Sequence, residues 1–484
     1  NVYYMAKVLF LQDLEYEFLG PMYISSMLKE HGHRVLMRVG GGIKDFRSTL
    51  DSFKPDFVAF SIMSGSHHWA LNMAQVIKRE YGTSNIFGGP HPTYFPDFVQ
   101  EDGVDIIVRG EGERACLELM DRFDKKQDYL DVKNLWVSRN KQIFKNEVRC
   151  LDSDLDVYPF ADRQLYSDLN GKIDLSVRNI IASRGCPWHC TFCFNDSMRK
   201  LYADKGKYVR LRQVDKVIEE SKYLRDTAKA EVLYFVDDVF GLNSNWLYEF
   251  LPKFKEKVGL PFICLVRADE ICRNERYAQY LADYGCILVC FGIESGDEKI
   301  RSNILNKNLT NDEIYKAAQR LHASGLKFRT FNILGLPGET LEEALSTVKI
   351  NIDIKTDYPW CSIFLPFPGT KLTEYAKDAG YLNSDYNIDS LSPSFYTKSN
   401  LNNHPQINQI QNLQNFFQTA VLWPWTFGII KLLIRLPRNI LFTLWFGFIY
   451  FIVCVKSERR GFFRTLYFAL RNYQHLMNKD KNKK

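Results

Sequence analysis

The stretch Arg184-Gly185-Cys186-Pro187-Trp188-His189-Cys190-Thr191-Phe192-Cys193 carries the strongest chemical signal in this chain. Three cysteines separated by three and then two residues can bind one metal centre from a single short loop. Three thiolates are one fewer than a closed zinc or iron–sulfur site takes, so the spacing indicates a 4Fe–4S cluster with one iron open to another ligand. The alternative is three buried thiols that only pack. Proline, histidine and glycine within the loop argue against a core strand or helix there.

The sequence around this loop predicts a barrel of alternating strands and helices. Residues 177–184 are apolar and β-branched with a polar end, which is typical of a buried parallel strand. Helical patterns at 214–224 and 311–324 follow, the second with Thr310 as a capping residue. Six strand–helix units in a row indicate a parallel sheet curled into most of a barrel, with the active site at the carboxyl ends of the strands. The five later strands are predicted at 231–236, 262–266, 287–293, 327–334 and 361–365.

The cysteine run, with an aromatic residue just before Cys193, resembles the signature of the radical S-adenosylmethionine (radical SAM) superfamily. The resemblance implies that Cys186, Cys190 and Cys193 are the catalytic metal ligands of a 4Fe–4S cluster. It further implies that SAM binds the open iron and is cleaved to a 5′-deoxyadenosyl radical. A reductant such as flavodoxin or ferredoxin is then an expected partner.

Polar residues and glycines follow the later predicted strands. Taken singly, such residues are as readily caps or turn formers as ligands. Taken in this order behind a cysteine loop, they resemble the SAM-binding motifs of the superfamily. The resemblance places Arg267 near the SAM carboxylate, the segment Glu294-Ser295-Gly296 near its ribose or amino group, and the Gly335 segment along the adenine. Asp237 and Asp238 stand where the family motif contacts the methionine amine, although the family usually has a pair of glycines there.

The N-terminal third predicts a separate unit with an open, doubly wound, Rossmann-like sheet. Strands are predicted at 7–11, 57–62, 85–87 and 105–108, and helices at 21–31 and 69–80. Glycines at the carboxyl ends of these strands suit a ligand bound along that edge. Since no GxGxxG opens the first helix, a dinucleotide is disfavoured.

The runs Gly88-Gly89-Pro90-His91-Pro92-Thr93 and Gly110-Glu111-Gly112-Glu113 resemble the cobalamin-binding domain that precedes many radical SAM domains. The resemblance implies that the loops at 61–66, with Ser61 and Ser64, and at 88–93 hold the corrin and its nucleotide tail. The motif Asp-x-His-x-x-Gly is missing after Asp13, so the lower face of cobalt is expected to be open or water-bound. His67, His68 and His91 are either solvated side chains near the corrin or an axial ligand.

Composition predicts two to three domains in a reducing compartment, which we take to be the cytoplasm. The chain has 484 residues and 11 cysteines, and the eight outside the cluster loop show no pairing pattern. The sequence begins without a signal-peptide pattern. We expect a cobalamin-binding domain at 1–140, a linker at 141–175, a radical SAM barrel at 176–400 and a helical region at 401–484.

The C-terminal region carries the net positive charge. Residues 456–484 include nine Lys/Arg and two Asp/Glu, while the chain as a whole has a formal net charge of +6. Residues 440–455 carry no charge, and 421–436 are apolar apart from two cations. A spanning helix needs about 20 apolar residues. We therefore predict a monotopic or peripheral hairpin on the inner membrane face, with a true span or a buried core helix as alternatives. Anionic lipid, and no nucleic acid, is the expected partner of the basic tail.

Together these features predict a cobalamin-dependent radical SAM enzyme that methylates an unactivated centre of a hydrophobic, membrane-derived substrate. Two alternatives stay open. One is oxidative cyclisation or ring rearrangement of a lipid or tetrapyrrole, as in the anaerobic magnesium-protoporphyrin ester cyclase that shares this domain order. The other is a non-catalytic, cluster-bearing membrane scaffold or sensor.

Overall fold

The computed structural model describes residues 5–169, 175–392, 396, 398–457 and 466. The chain divides into two compact units. The first, called here the doubly wound unit, consists of Asn1–Leu175 and Ser197–Arg210. The second, the barrel unit, consists of Ser176–Asp196 and Leu211–Lys484. The predicted basic tail lies outside the described residues, apart from 456, 457 and 466.

Strands and helices alternate in the doubly wound unit up to its last two strands. The elements are β1 (Lys7–Gln12), α1 (Leu19–Glu30), β2 (Arg34–Val39), α2 (Ile43–Phe53), β3 (Phe57–Ser61), α3 (His67–Tyr81), β4 (Ser84–Gly88), α4 (Pro90–Tyr94), β5 (Ile106–Val108), α5 (Glu113–Asp124), β6 (Leu135–Arg139) and β7 (Gln142–Lys145). Short 3₁₀ turns occupy Pro96–Gln100, Leu155–Val157 and Arg163–Leu169.

The seven strands of this unit lie in the order β2-β1-β3-β4-β5-β6-β7. The first five are parallel, and β6 and β7 are antiparallel to their neighbours. The order reverses between β1 and β3, and ligands of such sheets bind at the carboxyl edge near this reversal. The predicted doubly wound fold is confirmed.

Strand β2 and helix α2 were not predicted from the sequence. Strand β2 pairs with β1 along its whole length, from Lys7↔Arg34 to Gln12↔Val39. The side chains of β2 are largely exposed or half-buried, because only Val35 and Met37 of the strand are buried. Two arginines within six residues obscured an alternation that is otherwise typical of a half-buried strand.

The chain after β7 forms the remaining elements, which belong to the barrel unit except where they fall within Ser197–Arg210. They are β8 (Val177–Ile180), β9 (Ser183–Arg184), α6 (Phe194–Leu201), β10 (Arg210–Leu211), α7 (Val214–Asp226), β11 (Val232–Phe235), α8 (Ser244–Lys257), β12 (Phe262–Leu265), α9 (Ala268–Arg273), α10 (Tyr277–Asp283), β13 (Cys286–Glu294), α11 (Asn311–Ala323), β14 (Lys327–Leu334), α12 (Leu341–Asp353), β15 (Tyr358–Ile363), α13 (Lys371–Asp378), α14 (Ile407–Leu422), α15 (Phe427–Leu433) and α16 (Ile440–Ser457).

Six parallel strands form the barrel sheet in the order β8-β11-β12-β13-β14-β15. Each strand pairs with the next in the sequence, which is the arrangement of a partial barrel. One face packs against the connecting helices through residues such as Phe235, Phe262 and Phe328. The predicted six-stranded partial barrel is confirmed, with one difference. The strand predicted at 177–184 is interrupted at 181–182, where Asp237 accepts a hydrogen bond from the Ala182 backbone N–H.

Helix α14 covers the outer edge of β15. The side-chain amide of Gln414 donates to the Cys361 carbonyl at 3.2 Å, and that of Gln418 to the Pro359 carbonyl at 3.1 Å. These bonds satisfy strand carbonyls that would otherwise lack partners at the sheet edge. Helix α14 is therefore an integral part of the barrel unit.

Helix α16 has two different sides. Ile449 and Val453 are buried against Ile263 and Leu288, on the sheet face opposite the connecting helices. In the described part of the chain, α16 is the one helix whose length and composition would allow it to cross a membrane. The predicted hairpin is not a pair of long helices, since its first run forms the end of α14, a 3₁₀ turn at Pro424–Thr426 and the short α15.

Candidate active site

The three predicted metal ligands lie in the loop between β9 and α6. Gly185 turns the chain after β9 with φ of 89°, and α6 begins directly after Cys193. All three cysteines are half-buried, and Cys190 and Cys193 each raise the pKa of Cys186, so their sulfurs lie within electrostatic reach. Burial raises the pKa of Cys186 to about 11. A bound iron would supply the positive charge that converts such thiols to thiolates.

Hydrogen bonds fix the cysteine loop on both sides of Cys190. The backbone N–H of Thr191 donates to the Leu305 carbonyl at 3.0 Å, and its hydroxyl donates to the Ile304 carbonyl at 2.6 Å. On the other side, the Asn306 amide donates to the His189 carbonyl at 2.9 Å. The segment 304–306 therefore holds both neighbours of the second cysteine.

Arg267, at the end of β12, is fixed beside the same loop. Its guanidinium carbon lies 4.3 Å from the centre of the Trp188 ring, and its Nε donates to Asp269 Oδ1 at 2.9 Å. The side chain is buried, and its charge lowers the pKa of Cys190 while burial raises it more strongly. A buried, oriented guanidinium at this position suits a carboxylate ligand.

Glu294 ends β13 in a strained conformation. Its φ is 67°, in the left-handed region, which costs a non-glycine residue on the order of 1–3 kcal/mol. The pairing with β14 shifts register between Gly292 and Glu294. Lys307 Nζ donates to Glu294 Oε1 at 2.8 Å and to the Gly292 carbonyl at 2.7 Å. Lys307 was not predicted as a site residue, because a single lysine in a polar loop gives no sequence signal of its burial.

Ser295 and Gly296 shape the loop after β13 through their backbone. The Ser295 carbonyl accepts from Arg301 at 2.6 Å, and the Gly296 N–H donates to the Thr347 hydroxyl at 2.7 Å. A Cβ on Gly296 would lie 2.4 Å from the backbone of Ser346 in α12. Glycine is therefore required for this close contact between loop and helix.

The neighbours Asp237 and Asp238 have different surroundings. Asp237 is buried and accepts from the Ala182 N–H at 3.0 Å and from the Ser183 hydroxyl, which joins the end of β11 to β8 and β9. Burial raises the pKa of Asp237 to about 6. Asp238 is exposed and accepts from the Asn195 amide at 2.8 Å, and that amide lies 3.7 Å from Cys193 Sγ. Of the two, Asp238 is the one that faces the cysteine loop.

Gly335 begins a loop that is closed by the carboxylate of Glu339, a residue of the same loop. Gly335 has φ of 74°, and its N–H donates to Glu339 Oε2 at 2.5 Å, as does the Leu336 N–H at 3.3 Å. Burial raises the pKa of Glu339 to about 8. Glu339 directly follows Pro337-Gly338 and was not predicted from the sequence.

In the doubly wound unit, the predicted residues Ser61, Gly88, Gly89 and Pro90 lie at the carboxyl ends of β3 and β4. Gly89 has φ of 94°, and a Cβ there would lie 2.8 Å from the Ile62 carbonyl oxygen. The glycine is thus required by the packing of the chain itself. Gly88 is less constrained, and Pro90 is the first residue of α4.

The histidines of this edge form a buried stack. The His67 and His91 rings are nearly parallel with centroids 4.2 Å apart, and Ser64 Oγ lies 3.2 Å from His91 Nδ1. Both rings are buried, so the expectation of solvated side chains is wrong for these two. Burial, together with His67 and His68, lowers the pKa of His91 to about 3, which keeps its imidazole neutral.

Glu111 has partners within its own unit. Its carboxylate pairs with Arg210, and its backbone N–H donates to the Tyr202 hydroxyl at 2.7 Å. The Gly110 N–H donates to Thr93 Oγ1 at 3.0 Å, which joins this loop to the loop after β4. A contact between Glu111 and cobalamin stays a prediction.

The donor sets of both units fit the implied cofactors. Three thiols and two buried cations, Arg267 and Lys307, lie at one edge of the barrel sheet, which suits an anionic cluster together with a ligand carboxylate. In the doubly wound unit, glycine-lined loops and the neutral His91 ring meet near the reversal of strand order, where a large ligand can approach the backbone.

Comparisons with known proteins match a family to each of the two units. Residues 13–120 match the B12 binding domain family, and residues 180–350 match the radical SAM superfamily. An uncharacterized methyltransferase of Pyrococcus horikoshii is 29% identical over 367 residues, covering 74% of this chain and 78% of the relative. The anaerobic magnesium-protoporphyrin IX monomethyl ester cyclase of Rubrivivax gelatinosus is 24% identical over 375 residues, covering 74% and 65%.

Among solved structures, the fold is similar to that of the radical S-adenosylmethionine methyltransferase TsrM of Kitasatospora setae with cobalamin and a [4Fe-4S] cluster bound. The TM-score is 0.66 at 17% identity, and the alignment covers 84% of this chain and 82% of that one. At this identity the likeness concerns the fold.

Proposed function

We propose that this chain, a radical SAM enzyme that carries a B12-binding domain, transfers a methyl group to an unactivated centre of a hydrophobic substrate. Its cofactors are a 4Fe–4S cluster, SAM and cobalamin. When bound, the cluster and SAM supply a deoxyadenosyl radical that removes hydrogen from the substrate, and cobalamin supplies the methyl group. The observation that carries the proposal is the grouping of three thiols and Arg267 at one barrel edge in a chain with a B12-binding domain.

The proposed roles follow from the surroundings of each residue. Cys186, Cys190 and Cys193 would hold the cluster, and Arg267 would bind the SAM carboxylate through a charge-assisted hydrogen bond. The Glu294 carboxylate would accept from the ribose or amino group of SAM, and the chain at Gly335 would lie along the adenine. Asp238 would lie in the SAM site beside the cysteine loop. Asp237, through its hydrogen bonds from Ala182 and Ser183, would hold the chain that leads into that loop. An electron donor such as flavodoxin or ferredoxin would reduce the cluster.

The proposed cobalamin site is the carboxyl edge of the doubly wound sheet. Ser61, Ser64 and the loop from Gly88 to His91 would line it, with Glu111 bracing the neighbouring loop. The burial of His91 and its contact with Ser64 support a structural role for that ring.

We further propose that the protein binds the cytoplasmic face of a membrane, and that its substrate comes from there. Large apolar side chains are exposed along the segment from the end of α14 to the first half of α16. They are Trp423, Trp425, Ile429, Leu432, Leu436, Ile440, Leu441, Leu444, Trp445 and Phe448. Exposed apolar patches of this kind mark interaction surfaces. The Lys/Arg-rich sequence that follows suits the headgroups of anionic lipids.

One experiment separates the candidate reactions. Full-length protein is reconstituted anaerobically and supplied with a reductant, methyl-labelled SAM and a lipid extract of the host. Label in a lipid product supports methyl transfer. An unlabelled product formed together with deoxyadenosine would favour cyclisation, the second candidate, which the similarity to the Rubrivivax cyclase supports. The Cys186→Ala variant is the control and should give neither product nor deoxyadenosine.

A further inference from the structure

The connection between β13 and α11 contains an unusual, tightly fixed turn. Residues Ile300–Ile304 form a π-helix, a rare element that occurs frequently at functional sites. Arg301 within it is fully buried. Its guanidinium donates to the carbonyls of Ser295 at 2.6 Å and Leu309 at 2.8 Å, and to Asn311 Oδ1 at 2.6 Å. The turn is therefore fixed to both ends of the connection.

Lys307 follows this turn and points inward. Its backbone N–H donates to the Arg301 carbonyl at 2.8 Å, and its side chain is buried. The ammonium group contacts the Glu294 carboxylate at 2.8 Å and the Gly292 carbonyl at 2.7 Å. A buried ammonium is costly to desolvate, and its partner Glu294 is held in a left-handed conformation. The ion pair thus combines two unfavourable features, a buried ammonium group and a left-handed backbone at Glu294.

The same segment is tied to the cysteine loop. The three residues before Lys307 make the hydrogen bonds to His189 and Thr191, which flank Cys190. The segment that carries Lys307 is therefore joined by hydrogen bonds to both neighbours of Cys190. Lys307 and Arg267 are both buried cations at this edge of the barrel sheet.

We propose that Lys307 is a positioning residue that joins the SAM-binding carboxylate Glu294 to the cluster ligand Cys190. Its ammonium group holds Glu294 in the orientation needed for SAM and stabilises the negative charge of the cluster at Cys190. Neighbouring charges and hydrogen bonds of this kind set cluster potentials and ligand orientation. The inference rests on the proposed function only in requiring that the chain binds a cluster and SAM.

The test uses full-length protein reconstituted anaerobically, without substrate. Lys307→Met removes the charge, Lys307→Arg keeps it, and Lys299→Met is the matched control, because Lys299 is an exposed lysine directly before the same turn. The measurements are iron content, the dissociation constant for SAM and the midpoint potential of the cluster in an EPR-monitored titration. Lys307→Met should retain iron, bind SAM more weakly by on the order of 10–100-fold and show a more negative potential. Lys299→Met should match the wild type in all three.

Two results would overturn the proposal. One is a Lys307→Met protein with wild-type SAM affinity and potential, which would leave Lys307 as a packing residue only. The other is a Lys307→Arg protein in which the cluster potential falls although the positive charge is kept. If Lys307→Met does not fold, the Lys307→Arg protein provides the test. These measurements use no substrate. They can therefore be interpreted even if the methyl-transfer assay gives no labelled product.

Discussion

The guanidinium of Arg267 stacks on the indole ring of Trp188, with 4.3 Å between the guanidinium carbon and the ring centre. Trp188 lies in the cysteine loop, and Arg267 ends a strand that is far from the loop in sequence. Asp269 holds the other side of the guanidinium at 2.9 Å. The ring and the carboxylate together fix the direction of the guanidinium before any ligand binds, which reduces the ordering cost of binding.

This arrangement predicts that Arg267→Met weakens SAM binding and retains the cluster. Loss of a hydrogen bond to a charged group costs about 1.5–3 kcal/mol, or roughly ten- to a hundredfold in the dissociation constant. The control is Arg273→Met, because Arg273 pairs with the same Asp269 at 3.2 Å but is largely exposed. SAM affinity is measured by isothermal titration. Equal affinities in the two variants would show that Arg267 does not contact SAM.

A second prediction concerns the cysteines. Each of Cys186→Ala, Cys190→Ala and Cys193→Ala removes one of only three protein ligands, so each variant should lose the visible absorption of the cluster and all formation of deoxyadenosine. Cys150→Ser is the control, since Cys150 is an exposed cysteine of the other unit. Iron content and deoxyadenosine are measured after anaerobic reconstitution. A cysteine-loop variant with full iron and SAM cleavage would contradict the assignment.

The sequence was sufficient for the features that depend on local pattern. The capping box at Thr310 and Glu313 and the cysteine spacing are each visible within a short window. Thr310 accepts from the Glu313 N–H at 3.2 Å, as the spacing predicted. These features could be predicted because each depends on residues only a few positions apart.

The features that were missed depend on contacts between distant segments. Lys307 reaches Glu294 only because the π-helix at Ile300–Ile304 redirects the chain, and no sequence pattern predicts such a turn. The burial of His67 and His91 results from ring stacking between the first turns of α3 and α4. Likewise, α16 contacts Ile263 and Leu288 of the barrel sheet, which its uniform apolar sequence could not indicate.

A third prediction follows from the raised pKa of Glu339. Burial raises this pKa from 4.5 to about 8, so the folded protein binds the proton more tightly than the unfolded chain does. The resulting stabilisation is fully present below pH 4.5 and is lost as the pH rises to about 8. We therefore expect the apparent Tm of the wild type to fall between pH 5 and 8 more steeply than that of Glu339→Gln.

Thermal unfolding followed by circular dichroism checks this difference. The matched control is Glu342→Gln, because Glu342 is an exposed carboxylate in the first turn of α12. It should keep the steeper pH dependence of the wild type. Identical slopes for wild type and Glu339→Gln would mean that Glu339 does not carry the effect.

A fourth prediction contrasts two glycines. A Cβ at Gly296 would lie 2.4 Å from backbone atoms of Ser346, whereas one at Gly428 would meet nothing within 4 Å. Gly296→Ala should therefore lower the free energy of unfolding by at least the 1–3 kcal/mol typical of overpacking. Gly428→Ala, within α15, should leave it unchanged or raise it by up to about 1 kcal/mol. Urea titration measures both, and equal effects would show that α12 can shift away from the loop.

The last prediction concerns the membrane and uses point changes. Deletion of the chain after residue 400 would uncover the β15 edge that Gln414 and Gln418 cover, so it would confuse loss of lipid binding with loss of structure. Leu441, Leu444 and Phe448 are 70%, 57% and 56% exposed, while the buried side of α16 bears Ile449 and Val453. Changing the three exposed residues to serine removes apolar surface and leaves the buried side intact.

Burial of apolar surface in the lipid gains about 25 cal/mol for each Å² removed from water, a contribution that salt does not screen. Wild-type protein should therefore sediment with vesicles of phosphatidylcholine and phosphatidylglycerol even at high salt, whereas the triple variant should stay in the supernatant. Tyr375→Gln is the control, because Tyr375 is 44% exposed on α13, outside the apolar segment, and its variant should sediment like the wild type. If the wild type stays in the supernatant, the exposed apolar side of α16 serves as a contact for another protein chain, and the inference of a membrane-derived substrate falls with it.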